Sequence, residues 1–416
     1  MALVLPFTGV RPPPQLAAKV AAPPYDVISS DEARELARGN PHCFLHISKP
    51  EIDFSSDVDP HSDRVYQQGR DNLERFLNEG ILYKDDSASF YIYRQTLNNG
   101  SGKHSQTGIV GLVSVDDYES DVIRKHEQTR PEKEDDRARH MQVLAAQTGP
   151  VFLTYKAEES LADLMTQGSQ DAPVYDFLID GVQHQLWTLT DSALIEKISA
   201  GFNKIDTLYV ADGHHRSAAA ARYRAIRRAD NPRHQGTEAY NYFMGVMFPH
   251  DQLHVLGYHR VVRDLGQYNP ATFLTALESA FTIRRSDSQA MPEQPGQFGL
   301  YLAQQWYLLS CKTQQDQSSD PVARLDVSIL QSSVLSPLLG IDDPRKDARI
   351  DFIGGIRGAQ ALEKAVDGGA FSAAFACYPV TVSALMDVAG AGKMMPPKST
   401  WFEPKLKSGL VIHTLG

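Results

Sequence analysis

The chain has 416 residues, with 41 Lys+Arg against 51 Asp+Glu for a formal net charge of −10, and 42% of its residues are hydrophobic and 22% charged. This is the balance of a globular chain long enough for two domains, and it argues against broad sequence-independent nucleic-acid binding, which needs a basic face. No run of about 18 apolar residues is present to span a bilayer, Met1 to Pro6 lacks the basic start of a signal peptide, and Cys43, Cys311 and Cys377 are too few and too scattered for a disulfide framework or zinc site, so a cytoplasmic protein is expected.

The proline-punctuated opening leads to a helix through Arg38, capped by Ser30 or Asp31 and ended by Gly39-Asn40. A second helix is expected over Ser62 to Leu77, then strands at Ser89 to Arg94 and in "QTGIVGLVSVDDY". "RKHEQTRPEKEDDRARHMQVLAAQTG" reads as a polar loop and a helix, followed by a strand from Pro150 to Tyr155. Residues 156–200 alternate short elements. Ile205 to Val210 is β-branched and apolar, a buried strand, and alanine-rich Ser217 to Arg228 is a helix. "NYFMGVMF" and "LHVLGYHRVV" are strand-like, Pro270 to Phe281 is helical, and Arg284 to Gln297 is a loop. A soft boundary near residue 265 divides the chain into 1–265 and 266–416, and elements mixed throughout predict an α/β (mixed α+β) fold.

Three constellations carry chemistry. Asp212-Gly213-His214-His215-Arg216 stands between a strand and a helix. Free N–H groups and the positive dipole end at a helix start suit an anion. Gly213 lets a phosphate approach, His214 and His215 donate hydrogen bonds, and Arg216 grips oxygens bidentately. Asp212 would repel phosphate unless it binds Mg²⁺ or accepts a hydroxyl proton. The plain alternative is an N-cap aspartate with two histidines holding a turn. In "KHEQTRPEKEDDRARH", His126, Glu127 and Thr129 stand beside Lys133, Asp136 and Arg137. An H-E-x-x-H metal site is excluded by spacing. Glu127 is then a candidate base, against the alternative of a solvated loop with local ion pairs. In "KMMPPKSTWFEPKLKSGLVIH", prolines stiffen a loop that offers Lys398 and Lys405 to a ligand, or else the tail is simply clamped by its aromatics. Arg11 and Asp26, in the proline-stiffened N-terminus, are weaker candidates for substrate contacts, while "GYHRV" and "IDDPRKDARIDF" are weaker signals that turns with satisfied charges would explain.

The strand–DGHHR–helix order resembles the signature turn of the ParB/sulfiredoxin-like fold, and closely that of the archaeal free L-serine kinases, which also carry an upstream "HEQ" like His126-Glu127-Gln128. The whole chain is also similar to a large bacterial family of uncharacterised function, through "PYDVIS", "EGILY", "KHEQTRPEKEDDR", "ADGHHR", "GYHRV" and "MPPKSTWFEPK". The kinase resemblance implies a ParB/sulfiredoxin-like core with insertions. It further implies a phosphotransferase acting on a small hydroxyl metabolite, free L-serine first, with ADP or ATP as donor and Mg²⁺. Glu127, beside His126, would take the hydroxyl proton, Asp212 would orient substrate or metal, and Gly213 to Arg216 would cradle phosphates. The longer step from Glu127 to Asp212 and the added C-terminal region depart from the kinases. A nucleotide-binding or nucleotide-hydrolysing regulator of ParB type, or a hydrolase of phosphorylated metabolites, are the competing readings. No membrane or nucleic-acid partner is expected, and a homodimer stays open.

Overall fold

The computed structural model describes residues 1–99, 102–312 and 318–415. The chain forms two units. The first is built from Met1–Lys125, Thr129–Leu253 and Pro404–Gly416, and the second from His126–Gln128 and His254–Glu403. Both combine helices with sheets, the mixed α+β class expected from the sequence.

The first unit centres on a nine-stranded sheet. Its path runs Ile123–Arg124, Leu208–Asp212, Val151–Tyr155, Tyr242–Pro249, Gly102–Ser114, Phe90–Asn99, Val182–Leu189 and Tyr175–Ile179, with Val4–Leu5 added against Gly102–Ser114. Two pairings are parallel, Leu208–Asp212 with Ile123–Arg124 and Tyr242–Pro249 with Val151–Tyr155, and the others are antiparallel. The central strands read as unbroken apolar runs because they are covered on both faces: Val151 to Tyr155 and Phe243 to Phe248 have no exposed position. Val151, Leu153, Val210 and Phe243 share one core with Ala219, Ala220 and Tyr223 of the helix His214–Asp230, whose alanines let it lie close to the sheet.

Local chemistry sets the helix ends. The first long helix, Ser30–Ala37, is capped by Ser29 rather than Ser30 or Asp31: Ser29 accepts from the Glu32 N–H, and the Glu32 carboxylate accepts in return from the Ser29 N–H. Asp63–Asn78 follows Ser62 as expected. Pro131–Leu144 starts on its proline, where a missing N–H costs nothing, and stops at left-handed Ala145.

The signature stretch differs from its sequence reading. The strand runs on through Asp212 and the helix begins at His214, so His214, His215 and Arg216 lie in its first turn rather than in a linker. Gly213 makes this abrupt change possible, with φ of 99° at the N-cap, a conformation that side chains other than glycine's resist.

The second unit holds a six-stranded antiparallel sheet in the order Phe281–Ser286, Gln305–Cys311, Gln297–Leu302, Ala373–Cys377, Tyr258–Val262, Ile350–Gly354. Phe273, Phe281, Phe298, Leu300, Leu309 and Phe375 form its core. Among the described residues, no helix is long and apolar enough to cross a membrane.

Candidate functional site

The site of the first unit grows from the strand end at Asp212. A register shift between Val210 and Asp212, where the strand pairs with Val151–Tyr155, ends the regular ladder just before Gly213. Three charged groups converge there. Lys405 Nζ stands 3.2 Å from Asp212 Oδ2, and the Arg216 guanidinium is 3.7 Å from the same oxygen and 3.6 Å from Asp26 Oδ2. The Asp26 and Asp212 side chains each keep 28% of their exposure and that of Arg216 only 9%, so a nearly buried cation sits between two carboxylates that reach water. Arg216 also donates to the Pro150 carbonyl.

These neighbours set protonation. Burial would push the Asp212 carboxyl up, but Lys405 and Arg216 outweigh it and hold the acid well below the usual carboxylate range. Burial drives His214 down to about 4, against the pull of Asp212 and helped by the neighbouring His215 and Arg216. His214 is therefore neutral at pH 7 and contributes a dipole to the turn rather than a charge. His215 Nε2 accepts from the Arg130 N–H at 3.2 Å, which fixes its ring.

Backbone contacts bring the distant pieces together. Asp26 lies in the turn Tyr25–Val27, just after Ala22, and Ala22 and Ser408 exchange backbone hydrogen bonds of 2.8 and 3.1 Å. Gln95 Nε2, from a central strand, donates to the Lys405 carbonyl at 2.9 Å. The segment that carries Lys405 is thus bonded both to the loop of Asp26 and to the sheet.

Beside Arg216 opens a pocket lined by Tyr25, Ser48, Arg137, Gly149, Arg216 and Ser408 among others. Arg137 is oriented from three sides: Asp136 binds it at 2.8 Å, the Ser48 carbonyl accepts at 3.3 Å, and its guanidinium lies 4.0 Å from the Tyr25 ring centre. Asp136 is itself held by Tyr66 at 2.8 Å and His61 at 3.0 Å.

The other predicted residues are placed as follows. Arg11 is committed to Asp85, with Nε at 2.8 and 2.9 Å from its two oxygens, and to Tyr175 at 3.4 Å, in a buried cluster. Thr129 donates to Glu134 at 2.5 Å, and Glu134 and Asp135 pair with Arg222. The acidic part of "RPEKEDDR" therefore pairs with Arg222 of the helix His214–Asp230, far along the chain, rather than only with its own neighbours. His126 is buried and Glu127 half-buried; both belong to the second unit, where the His126 carbonyl accepts from Met395 N–H at 2.8 Å and Gln128 accepts from Arg345 at 2.7 Å. Lys398, also of the second unit, has φ of 55° and lies 5.7 Å from the Tyr258 ring centre. Sequence reasoning missed Ser48, Gly149 and Ser408 at the pocket, which stand in no charged or histidine-rich motif, and did not separate Arg137 from the charges around it.

Residues 4–328 match the family described as "Protein of unknown function (DUF1015)". The chain belongs to that family. A search of curated proteins finds no match. Among solved structures, a conserved hypothetical protein from Pyrococcus furiosus is similar at 13% identity, with 72% of this chain and 94% of that chain covered and a TM-score of 0.34. A mutant free serine kinase in complex with AMP matches at 11% identity over 70% of this chain and 87% of its own, with a TM-score of 0.36. SbnI with a C-terminal truncation, from Staphylococcus aureus, matches at 12% identity over 71% and 84%, with a TM-score of 0.38.

Proposed function

We propose that this protein is a phosphotransferase that moves a phosphoryl group from ADP or ATP to the hydroxyl of a small metabolite, free L-serine first. One observation carries the reading: the first turn of a long helix, opened by left-handed Gly213, stands beside a carboxylate held ionised by Lys405 and Arg216. Phosphoryl transfer asks of a protein chiefly positioning and charge neutralisation, and this arrangement supplies cations at a helix start, beside the positive end of its dipole.

In the reaction, the acceptor oxygen attacks the terminal phosphorus and forms the new P–O bond, while the bond to the nucleotide's leaving oxygen breaks. The hydroxyl proton goes to a carboxylate base, and the nucleotide departs one phosphate shorter. Gly213 to Arg216 receive the donor's phosphates, and Lys405 neutralises charge beside Asp212. Among the described residues no group of three metal-ligating side chains exists. Magnesium is usually held by substrate phosphates and one or two carboxylates, a need that Asp212 and Asp26 fit. The metal would then supply charge neutralisation on the phosphates. The assignment of Glu127 as base rests on its resemblance to the kinase "HEQ" motif.

The test follows phosphoserine formation from serine, nucleotide and Mg²⁺. Glu127→Gln keeps size and hydrogen bonding but cannot take the proton, so turnover should fall by roughly 10²–10⁴ while nucleotide affinity stays. A wild type that binds nucleotide yet phosphorylates no hydroxy compound would overturn the transferase in favour of a nucleotide-sensing protein.

A further inference from the structure

We infer that the pocket beside Arg216 is a carboxylate subsite, so that the acceptor is a small hydroxy acid recognised by its carboxylate through Arg137, Arg216 and Ser48. The inference rests on the phosphotransferase reading only for the word acceptor; the pocket and its chemistry stand without it.

Two of the groups that line this pocket are buried and have no hydrogen-bond partner among the described residues: Arg216 Nε and Ser48 Oγ. Ser48 is 3% exposed and the Arg216 side chain 9%. A buried donor, above all one on a charged group, costs free energy unless an acceptor meets it. Both line the same cavity, as does Arg137, whose plane is fixed by Asp136 and Tyr25 while it still carries N–H groups beyond those given to Asp136 and Ser48. Fixed guanidinium and hydroxyl donors facing one space match an oxyanion.

Charge favours a monoanion in this pocket. Its lining cations Arg137 and Arg216 are already paired with Asp136 and Asp26, so a carboxylate adds one negative charge where a phosphate dianion adds two. The donor's phosphates meet instead the helix start at Gly213 and Lys405. Met141 and Met244 on the remaining wall suit the short carbon body of such an acid.

The experiment is calorimetric titration of the full-length protein with L-serine, D-glycerate, ethanolamine, inorganic phosphate and, separately, ADP. Serine and glycerate should bind and ethanolamine should not. Ser48→Ala and Arg137→Lys should each weaken both carboxylates about ten-fold or more, the scale of a hydrogen bond to a charged group, with ADP affinity unchanged. Ser48→Ala removes a hydroxyl with no partner, so the fold should keep its thermal midpoint or gain slightly, which separates a lost contact from a lost structure. Ethanolamine binding as well as serine, carboxylates indifferent to both variants, or phosphate bound more tightly than either acid through the same residues would each overturn the subsite. Carboxylates that bind and respond to the variants, in a protein that binds no nucleotide, would leave the subsite standing and remove the transferase. Phosphorylation of an alcohol that lacks a carboxylate, as efficiently as serine, would do the reverse.

Discussion

The chain carries the pattern Gly-x-His-Arg twice, as Gly213-His214-His215-Arg216 and as Gly257-Tyr258-His259-Arg260, and the two copies are built for different ends. The first follows a strand and opens a helix, and its arginine lies between Asp26 and Asp212 at the edge of a pocket. The second enters the strand Tyr258–Val262 in the middle of the second unit's sheet neighbours, Ile350–Gly354 and Ala373–Cys377. His259 Nδ1 accepts from the Cys377 N–H at 3.1 Å. Arg260 donates to the carbonyls of Tyr258 and, at 3.2 Å, Pro397, and lies 5.3 Å from the Phe352 ring centre. Burial lowers the Arg260 pKa. A histidine–arginine pair therefore signals chemistry only where backbone geometry sets it at an open helix start with charge around it. On a covered strand the same pair is framework.

The glycines should divide most sharply. A Cβ at Gly257 would meet the Cys377 carbonyl oxygen, a backbone atom with no side-chain freedom, at 2.2 Å, whereas one at Gly213 would meet the movable Arg216 guanidinium at 3.1 Å and suffer mainly from its positive φ. Gly257→Ala should cost more than about 4 kcal/mol and abolish cooperative unfolding of the second unit, while Gly213→Ala should cost about 1–3 kcal/mol. Urea denaturation measures both, and equal losses would erase the distinction.

The arginines come next and should differ in sign. Arg216→Met takes the cation from Asp26 and leaves Asp212 with Lys405 alone, and should cost about 2 kcal/mol, below the roughly 3–5 for a fully buried pair because Lys405 stays and both carboxylates remain partly hydrated. Arg260→Met relieves a buried charge held by the Tyr258 and Pro397 carbonyls, the Cys377 side chain and the Phe352 ring, with no carboxylate among its partners in the described residues, so stability should hold or rise by about 1 kcal/mol. A loss at Arg260 as large as at Arg216 would mean that the second copy also has an anionic partner to keep.

The histidines should differ least. Burial lowers both His214 and His259 to about 4, from an ordinary value of 6.5. Between those values the unfolded chain takes up protons that the folded state refuses. The stability that each neutral ring contributes is therefore complete above about pH 6.5 and is lost as pH falls toward 4. His214→Gln or His259→Gln should make this acid loss shallower by up to about 1.4 kcal/mol per pH unit, and equally so in the two variants. Stability measured from pH 7 to pH 4 checks it. A variant of His214 with an unchanged slope would mean that this ring takes up its proton as readily in the folded state as in the unfolded chain.

Sequence alone settled what depends on neighbours along the chain. Alternation and apolar runs gave the strands around Phe90 to Arg94, Val151 to Tyr155 and Tyr242 to Phe248. Polar residues before an apolar helical face placed the helix after Ser62, and strand–DGHHR–helix marked the stretch where Asp212 and Arg216 now stand together. These are signals of hydrogen-bond geometry and periodicity within a few residues. The register of helix onset was not among them, because φ of Gly213 decides whether His214 to Arg216 are turn or helix, and glycine's identity permits both. Nor could spacing reveal that Lys405 would reach Asp212, that Ala22 would bond Ser408, or that Ser48 would join Arg137 and Arg216 around one pocket. Those contacts join residues far apart in the chain, and they exist because the sheet must be covered and its polar edges satisfied by whichever segment the fold returns to them.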